Sequence, residues 1–384
     1  MHYLALLMPI LIISRAVAVL RIGKIWKILL SLVVIATALK YPIIYFLGGK
    51  MFFAPDLPPA VLIFANWLYM AMVIFFFLLA FSELTLLLYK IFCRCRKRYL
   101  SEKFRFYNNF FNLFLLLCGI SLSSFMLYSG LRQPVVRELP IVSSALPFEA
   151  DNMRIVQLTD LHIDRINRGD KLQRIVEKVN SLAPDLIVIT GDVVDGTVQQ
   201  RGRDVAILQK LRARYGVYGV PGNHEYFSGY AEWMEFFHSI NLQMLENSSL
   251  QLPNGINLAG ITDRAALRRN LPEPDVKQAL QGIDKSAFTI FLAHRPAYTD
   301  IASKLGADLQ LSGHTHGGMI YGLDKIVARF NDNFAVGLYQ INDMFLYISC
   351  GTMIWNGFPF RLGTSSEITL ITLKKSPISP HNKL

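Results

Sequence analysis

The chain has 384 residues, 52% of them hydrophobic, with 39 Lys and Arg against 28 Asp and Glu and a formal net charge of +11. That excess belongs to the first third, since residues 1–130 hold thirteen basic and three acidic side chains while residues 131–384 hold twenty-six and twenty-five. The near-neutral second part carries no helix-turn-helix, zinc-finger or RNA-binding signature, which argues against nucleic acid as a partner, and the apolar first part reads as embedded in membrane.

Four apolar stretches, 3–20, 26–47, 60–81 and 109–129, approach the roughly 20 residues that cross the hydrocarbon layer. Residues 1–130 are therefore expected to form an α-helical transmembrane anchor of about four spans, with membrane lipid as their surroundings. Arg15 and Lys40 interrupt the first two stretches near their ends, where a long cationic side chain reaches the interface. Lys and Arg mark the cytoplasmic loops of membrane proteins. They gather at Arg21, Lys24 and Lys27, and again at Arg94, Arg96, Lys97, Arg98, Lys103 and Arg105. The loop between, residues 48–59, has only Lys50 and Asp56 as charges. The expectation is a multi-pass protein of the cell membrane that leaves its last span on the extracytoplasmic side. A linker over 131–150, with Pro134, Pro140 and Pro147, joins a domain over 151–375, and 376–384 reads as a flexible tail. Cys350 is the sole cysteine of the second half, so no disulfide forms within it.

Short apolar runs follow, at 153–158, 185–190, 217–220, 288–292 and 309–311. Each has the length and composition of a buried strand. Between them, 171–182, 204–213 and 231–240 carry apolar residues at helical spacing. Alternating strands and helices predict an α/β layered core, with functional groups in the loops beyond the strand ends.

Those loops hold the chemistry. In order they are Asp160-Leu161-His162, Gly191-Asp192-Val193-Val194-Asp195, Gly222-Asn223-His224-Glu225, His294, and Gly313-His314-Thr315-His316-Gly317-Gly318. Five of the eight histidines lie here beside carboxylates and an amide, with no cysteine among them. Imidazole nitrogen with carboxylate and carboxamide oxygen suits Mn, Fe, Zn or Mg. Two such cations about 3.5–4 Å apart share a carboxylate, acidify a water, and clamp the oxygens of a phosphoryl displacement. Asp192 is the natural shared carboxylate.

The order and spacing of these clusters resemble the calcineurin-like metallophosphoesterase superfamily, in its membrane-anchored bacterial-type branch, whose pattern D-x-H, G-D-x-x-D, G-N-H-[DE], H, G-H-x-H is met at every element from about residue 150 to 375. The resemblance implies a four-layered αββα sandwich and a two-metal phosphoric ester hydrolase, phosphodiesterase activity and manganese included. It implies that Asp160, His162, Asp192 and His316 hold one divalent cation, and Asp192, Asn223, His294 and His314 the other. His224 is implied as the catalytic group that donates toward the leaving oxygen, steadied by a carboxylate that is either Asp195 or Glu225. Arg361, in the closing Gly357-Phe358-Pro359-Phe360-Arg361, either contacts a substrate phosphate or holds a loop by ion pairing. Met319 stands where the branch usually has Gln. The aromatic group Tyr226, Phe227, Tyr230, Trp233, Phe236 and Phe237 either packs in the core or lines an acyl-chain groove.

The implied substrate is a phosphate ester or pyrophosphate on a lipid or an envelope-exposed small molecule. Two alternatives stand beside it: a UDP-2,3-diacylglucosamine-type pyrophosphohydrolase with a cytoplasmic active site, and a non-catalytic metal-dependent binding module.

Overall fold

The computed structural model describes residues 2–95 and 103–376. Arg96, Lys97 and Arg98 of the second basic loop, and 377–384 of the expected tail, lie outside the described residues. The chain forms two compact units, Met1–Tyr128 and Ser129–Leu384.

In the first unit, Pro59–Cys95 and Phe110–Leu131 are helices long and apolar enough to cross a membrane. Among the described residues the expected four spans are not all present. The first stretch gives the helix His2–Ile12 and a π-helical turn, Ile13–Val17. An 11-residue helix is about 16 Å long against the ~30 Å of hydrocarbon. The second stretch breaks at Leu39 into Lys24–Ala38 and Lys40–Leu47, bent by 71°. Pro42 explains the break, because it has no N–H for the Ala38 carbonyl and its ring crowds that oxygen. Counted as one bent span, this pair brings the total among the described residues to three.

Four hydroxyl side chains in these helices are satisfied locally. Ser31, Thr37, Thr85 and Ser124 return their hydroxyl protons to carbonyls four residues back, as hydroxyl side chains do in apolar helices. Lys40 is buried and donates to Asn66 Oδ1 at 2.7 Å. Trp26, Phe64, Phe81 and Phe125 face outward, a surface suited to lipid rather than water.

The second unit is built on twelve strands: β1 (Val135–Ser143), β2 (Arg154–Leu158), β3 (Leu186–Thr190), β4 (Val217–Val220), β5 (Gln243–Met244), β6 (Ser248–Gln251), β7 (Asn257–Gly260), β8 (Thr289–Leu292), β9 (Leu309–Ser312), β10 (Gly337–Ile341), β11 (Met344–Ile348) and β12 (Glu367–Lys375). They form two six-stranded sheets, ordered β1-β12-β2-β3-β4-β5 and β10-β11-β9-β8-β7-β6. The side-chain period of two divides each strand between two cores. Ile155, Leu186, Val188 and Val220 meet Leu258, Ile290, Leu292 and Leu311 between the sheets. Val156, Leu158, Ile187 and Ile189 point the other way, onto Leu172, Ile175, Trp233 and Phe237 of helices Gly169–Ser181 and Tyr230–Ser239. On the far side, Ala279 and Ala302 cover Ala259 and Phe291. Helix, sheet, sheet, helix is the expected αββα layering.

The segment expected as a linker, 131–150, instead carries β1, which pairs in parallel with β12 along nine residues. Pro140 lacks a donor, and β1 accommodates it as the outermost strand. Arg137 Nε anchors it on the buried Glu367 carboxylate at 2.7 Å, which also accepts from Tyr347 on β11 at 2.7 Å.

Trp233 is fully buried and donates to the Gly196 carbonyl at 2.9 Å. Trp233→Ala should lower the unfolding free energy of the second unit by about 3–5 kcal/mol, read from denaturant melts of the intact protein in detergent.

Candidate metal centre

Five strand ends supply the motif residues, three from one sheet and two from the other. β2, β3 and β4 run parallel, as do β8 and β9, so their carboxyl ends share one rim. The loops there fold back sharply. Asp160, His162, Asp192, His314 and His316 all sit at positive φ, between 41° and 71°, a region that costs a non-glycine residue of order 1–3 kcal/mol and clusters at functional sites. Cross-loop hydrogen bonds hold them there: Asp160 N–H to the Gly191 carbonyl, His162 N–H to Asp192, and Ile163 N–H to Val193, each 3.0 Å. Gly222 has an ordinary φ of −96°, and its glycine is needed for space, since an added Cβ would fall inside the Asp192 carboxylate.

Six of the seven expected ligands gather at this rim in two groups. Asp160, His162 and His316 form one group whose donor atoms lie within 4.8 Å of one another, and Asp192, His294 and His314 form another. His162 Nε2 faces His316 Nε2 at 3.1 Å, and His316 Nε2 is 3.4 Å from Asp160 Oδ1. Asp192 Oδ2 lies between the groups, 3.8 Å from His162 Nε2 and 3.2 Å from His294 Nε2. Two of the other ring nitrogens are fixed from behind. His294 Nδ1 donates to the Thr190 carbonyl at 2.8 Å, and His162 Nδ1 donates to Asp195 Oδ2 at 3.1 Å. A ring whose outer nitrogen is tied in this way presents the other as a lone pair, the arrangement found behind metal ligands. Imidazole nitrogens converging with carboxylate oxygens fit a pair of divalent cations, and the donor types suit Mn, Fe, Zn or Mg.

The charges are strongly perturbed. Burial pushes the Asp160 carboxyl up. Burial acts on Asp192 in the same sense, but His294 and His224 overcome it and hold that carboxyl well below the usual range. Burial drives His314 and His316 well below an ordinary imidazole, so both stay neutral. In His224 burial disfavours the imidazolium, yet Asp192 and Asp195 outweigh it and raise the pKa to about 10.

Of the two carboxylates expected beside His224, the structure brings Asp195, whose Oδ1 is hydrogen-bonded to His224 Nδ1. Glu225 does something else. It is fully buried and accepts from the N–H groups of Gly222 (2.7 Å), Asp192 (3.1 Å), Val193 (2.7 Å) and Val194 (3.2 Å), buckling the β3 and β4 loops together.

Arg361 braces backbone in this structure. It is fully buried, and its guanidinium donates to the carbonyls of His316 (3.2 Å) and Cys350 (2.6 Å). Met319 also acts through its backbone, its carbonyl accepting from Leu362 N–H and Thr364 Oγ1. Trp233 and Phe237 are core residues, while Phe227 is half-buried, its ring centroid 5.8 Å from that of His224.

Nothing in the motif pattern singles out Arg295. Its guanidinium lies 3.0 Å from Asn223 Oδ1 and 2.6 Å from His314 Nε2, and pairs with the buried Asp263 at 2.8 Å. Its place next to His294 is the one signal that points to it.

Glu225→Gln removes one acceptor oxygen from the four N–H groups it gathers. The loss should destabilise the domain by about 1–3 kcal/mol and reduce bound metal measured by elemental analysis, with the far-ultraviolet circular dichroism unchanged.

The sequence model of the calcineurin-like phosphoesterase family matches residues 153–318. An uncharacterized metallophosphoesterase of Campylobacter jejuni is 32% identical over 271 residues, covering 70% of this chain and 72% of its own. One of Helicobacter pylori is 35% identical over 248 residues, covering 64% of this chain and 65% of that protein, so this chain spans a little less than two thirds of it. A Bos taurus transmembrane protein with metallophosphoesterase domain is 35% identical over 266 residues, 65% of this chain and 60% of its own. With the motif residues gathered on one rim of an αββα sandwich, the chain belongs to the calcineurin-like metallophosphoesterase family.

Proposed function

We propose that this protein is a membrane-anchored phosphoesterase that uses two divalent cations to hydrolyse a phosphate ester or pyrophosphate carried on a lipid or an envelope-exposed small molecule. The observation that carries this is the position of Asp192 Oδ2, 3.2–3.8 Å from ring nitrogens of His162, His224 and His294. One carboxylate oxygen thus serves both ligand groups and faces the proton donor.

Asp160, His162, Asp192 and His316 would hold one cation, and Asp192, Asn223, His294 and His314 the other. When bound, such a pair acidifies a water toward neutrality and neutralises charge on the transferring phosphoryl group. The protein's own groups do the rest. Asp195 engages His224 Nδ1 and leaves Nε2 as the nitrogen turned toward the rim, 3.8 Å from Asp192 Oδ2. His224 Nε2 then gives its proton to the leaving oxygen, and Asp195 keeps the ring oriented through the transfer. The cross-loop hydrogen bonds and Glu225 hold the ligand loops before substrate arrives, so little reorganisation is needed during the reaction.

The charges around the two long helices support an extracytoplasmic site. Pro59–Cys95 carries Arg94 in its last turn, and the next basic residues, Arg96 to Arg105, precede Phe110–Leu131. A basic segment held in the cytoplasm returns the chain to the other side at Leu131 whether one or no span precedes Pro59. A reporter fused after Leu384 should be active if it folds outside the cytoplasm, as alkaline phosphatase does, and inactive if it needs the cytoplasm, as green fluorescent protein does when exported unfolded. The reverse result favours the cytoplasmic nucleotide-linked pyrophosphohydrolase.

Purified protein with Mn should hydrolyse bis-(p-nitrophenyl) phosphate. His224→Ala should lower kcat by about 10²–10⁴ with bound metal retained, whereas Asp192→Ala should lose both metal and turnover. A fully metal-loaded wild type without hydrolysis of this diester or of p-nitrophenyl phosphate would favour the binding module.

A further inference from the structure

Beside the metal centre is a cavity of about 330 Å³ lined by Phe227, Arg264, Ala265, Leu267, Arg268 and Arg295. Three of these six are arginines and none is acidic. Arg295 reaches the centre itself, 3.0 Å from Asn223 Oδ1, and is balanced by Asp263. Arg264 and Arg268 have no ion-pair partner among the described residues. Asp263 also accepts from the Ala265 N–H at 2.8 Å, which fixes the start of the Arg264–Arg269 turn. Like charges gathered in one cavity repel each other unless an anion joins them. The planar guanidinium fork matches phosphate oxygens two at a time, and Leu267 and Phe227 supply the apolar walls. Phe227 ties the cavity to the reaction, because its ring is also against His224.

We propose that this cavity binds a second phosphate group of the substrate, next to the phosphoryl group being attacked. The inference rests on the phosphoesterase reading and narrows its substrate class to molecules with two neighbouring phosphates, such as a diphosphate. Arg264 and Arg268 are then specificity residues that hold the unreacted phosphate. Arg295 spans the cavity and the Asn223 side chain.

The test is a calorimetric titration of the full-length, Mn-loaded protein in detergent, comparing wild type with Arg264→Gln/Arg268→Gln at the same Mn concentration so that binding of Mn by the probe is common to both. With methylenediphosphonate as a non-hydrolysable pyrophosphate probe, the double variant should bind at least about tenfold more weakly, the factor that corresponds to losing one charge-assisted contact. Arg264→Lys/Arg268→Lys, which keeps the charge and loses the fork, should fall between. Metal content and unfolding midpoint should match wild type, as expected for side chains that reach solvent. Methylenediphosphonate affinity within about twofold of wild type in the Gln variant overturns the proposal. In parallel, phosphatidylcholine vesicles containing diacylglycerol pyrophosphate distinguish a lipid-borne from a soluble diphosphate by which probe suffers the larger loss. Failure of the broader reading looks different, since a Mn-loaded wild type that hydrolyses no phosphoester can still lose methylenediphosphonate affinity on removal of the two arginines.

Discussion

The Glu225 carboxylate, sealed from solvent and shared among four backbone N–H groups, is the constraint on which the centre depends. Without that acceptor the Gly191–Val194 turn would bury unpaired donors, each a cost of about 1–3 kcal/mol. With it, Asp192 is held at a φ of 51°, and its carboxylate projects between the two histidine groups. Asp192 in turn accepts from the His224 N–H at 2.9 Å, so the turn that orients the shared carboxylate also orients the proton donor. Backbone strain, ligand placement and acid placement are set by one buried network.

Much of this is legible in the sequence, and the rest is not for identifiable reasons. The strands ending at Leu158, Thr190, Val220, Leu292 and Ser312 announce themselves because continuous apolar runs are what a doubly buried strand needs. Helix Gly169–Ser181 is equally clear from its spacing. The edge strand β1 is hidden because Arg137, Glu138 and Pro140 interrupt its apolar residues, and Pro134 and Pro147 on either side complete the look of a tether. Its partner β12 is remote in the chain, Val135 lying opposite Glu367, and no local pattern reports such a pairing. The break at Leu39 is written in Pro42, but an average over apolar residues passes through it.

At the site, the identity of the ligands is visible and their posture is not. No propensity places Asp160, His162, Asp192, His314 and His316 at positive φ, since the surrounding loops impose that conformation through tertiary hydrogen bonds. The division of labour between Asp195 and Glu225 is also tertiary, because both belong to the motifs around His224 and only the folded loops turn one to the imidazole and the other to the backbone. The two arginines divide in a way that no spacing shows. Arg361 is buried and braces the His316 and Cys350 carbonyls, whereas Arg295, adjacent to His294, reaches toward Asn223 and the neighbouring cavity.

The central claim is that two cations share Asp192, and electron paramagnetic resonance of the Mn-loaded protein tests it most directly. Two Mn(II) ions joined through one carboxylate are exchange-coupled, so the spectrum should show the multiline pattern of a coupled pair at two Mn per chain, reverting to an isolated six-line signal or to none in Asp192→Ala. A wild type that binds a single uncoupled Mn, or two that show no coupling, would contradict the account.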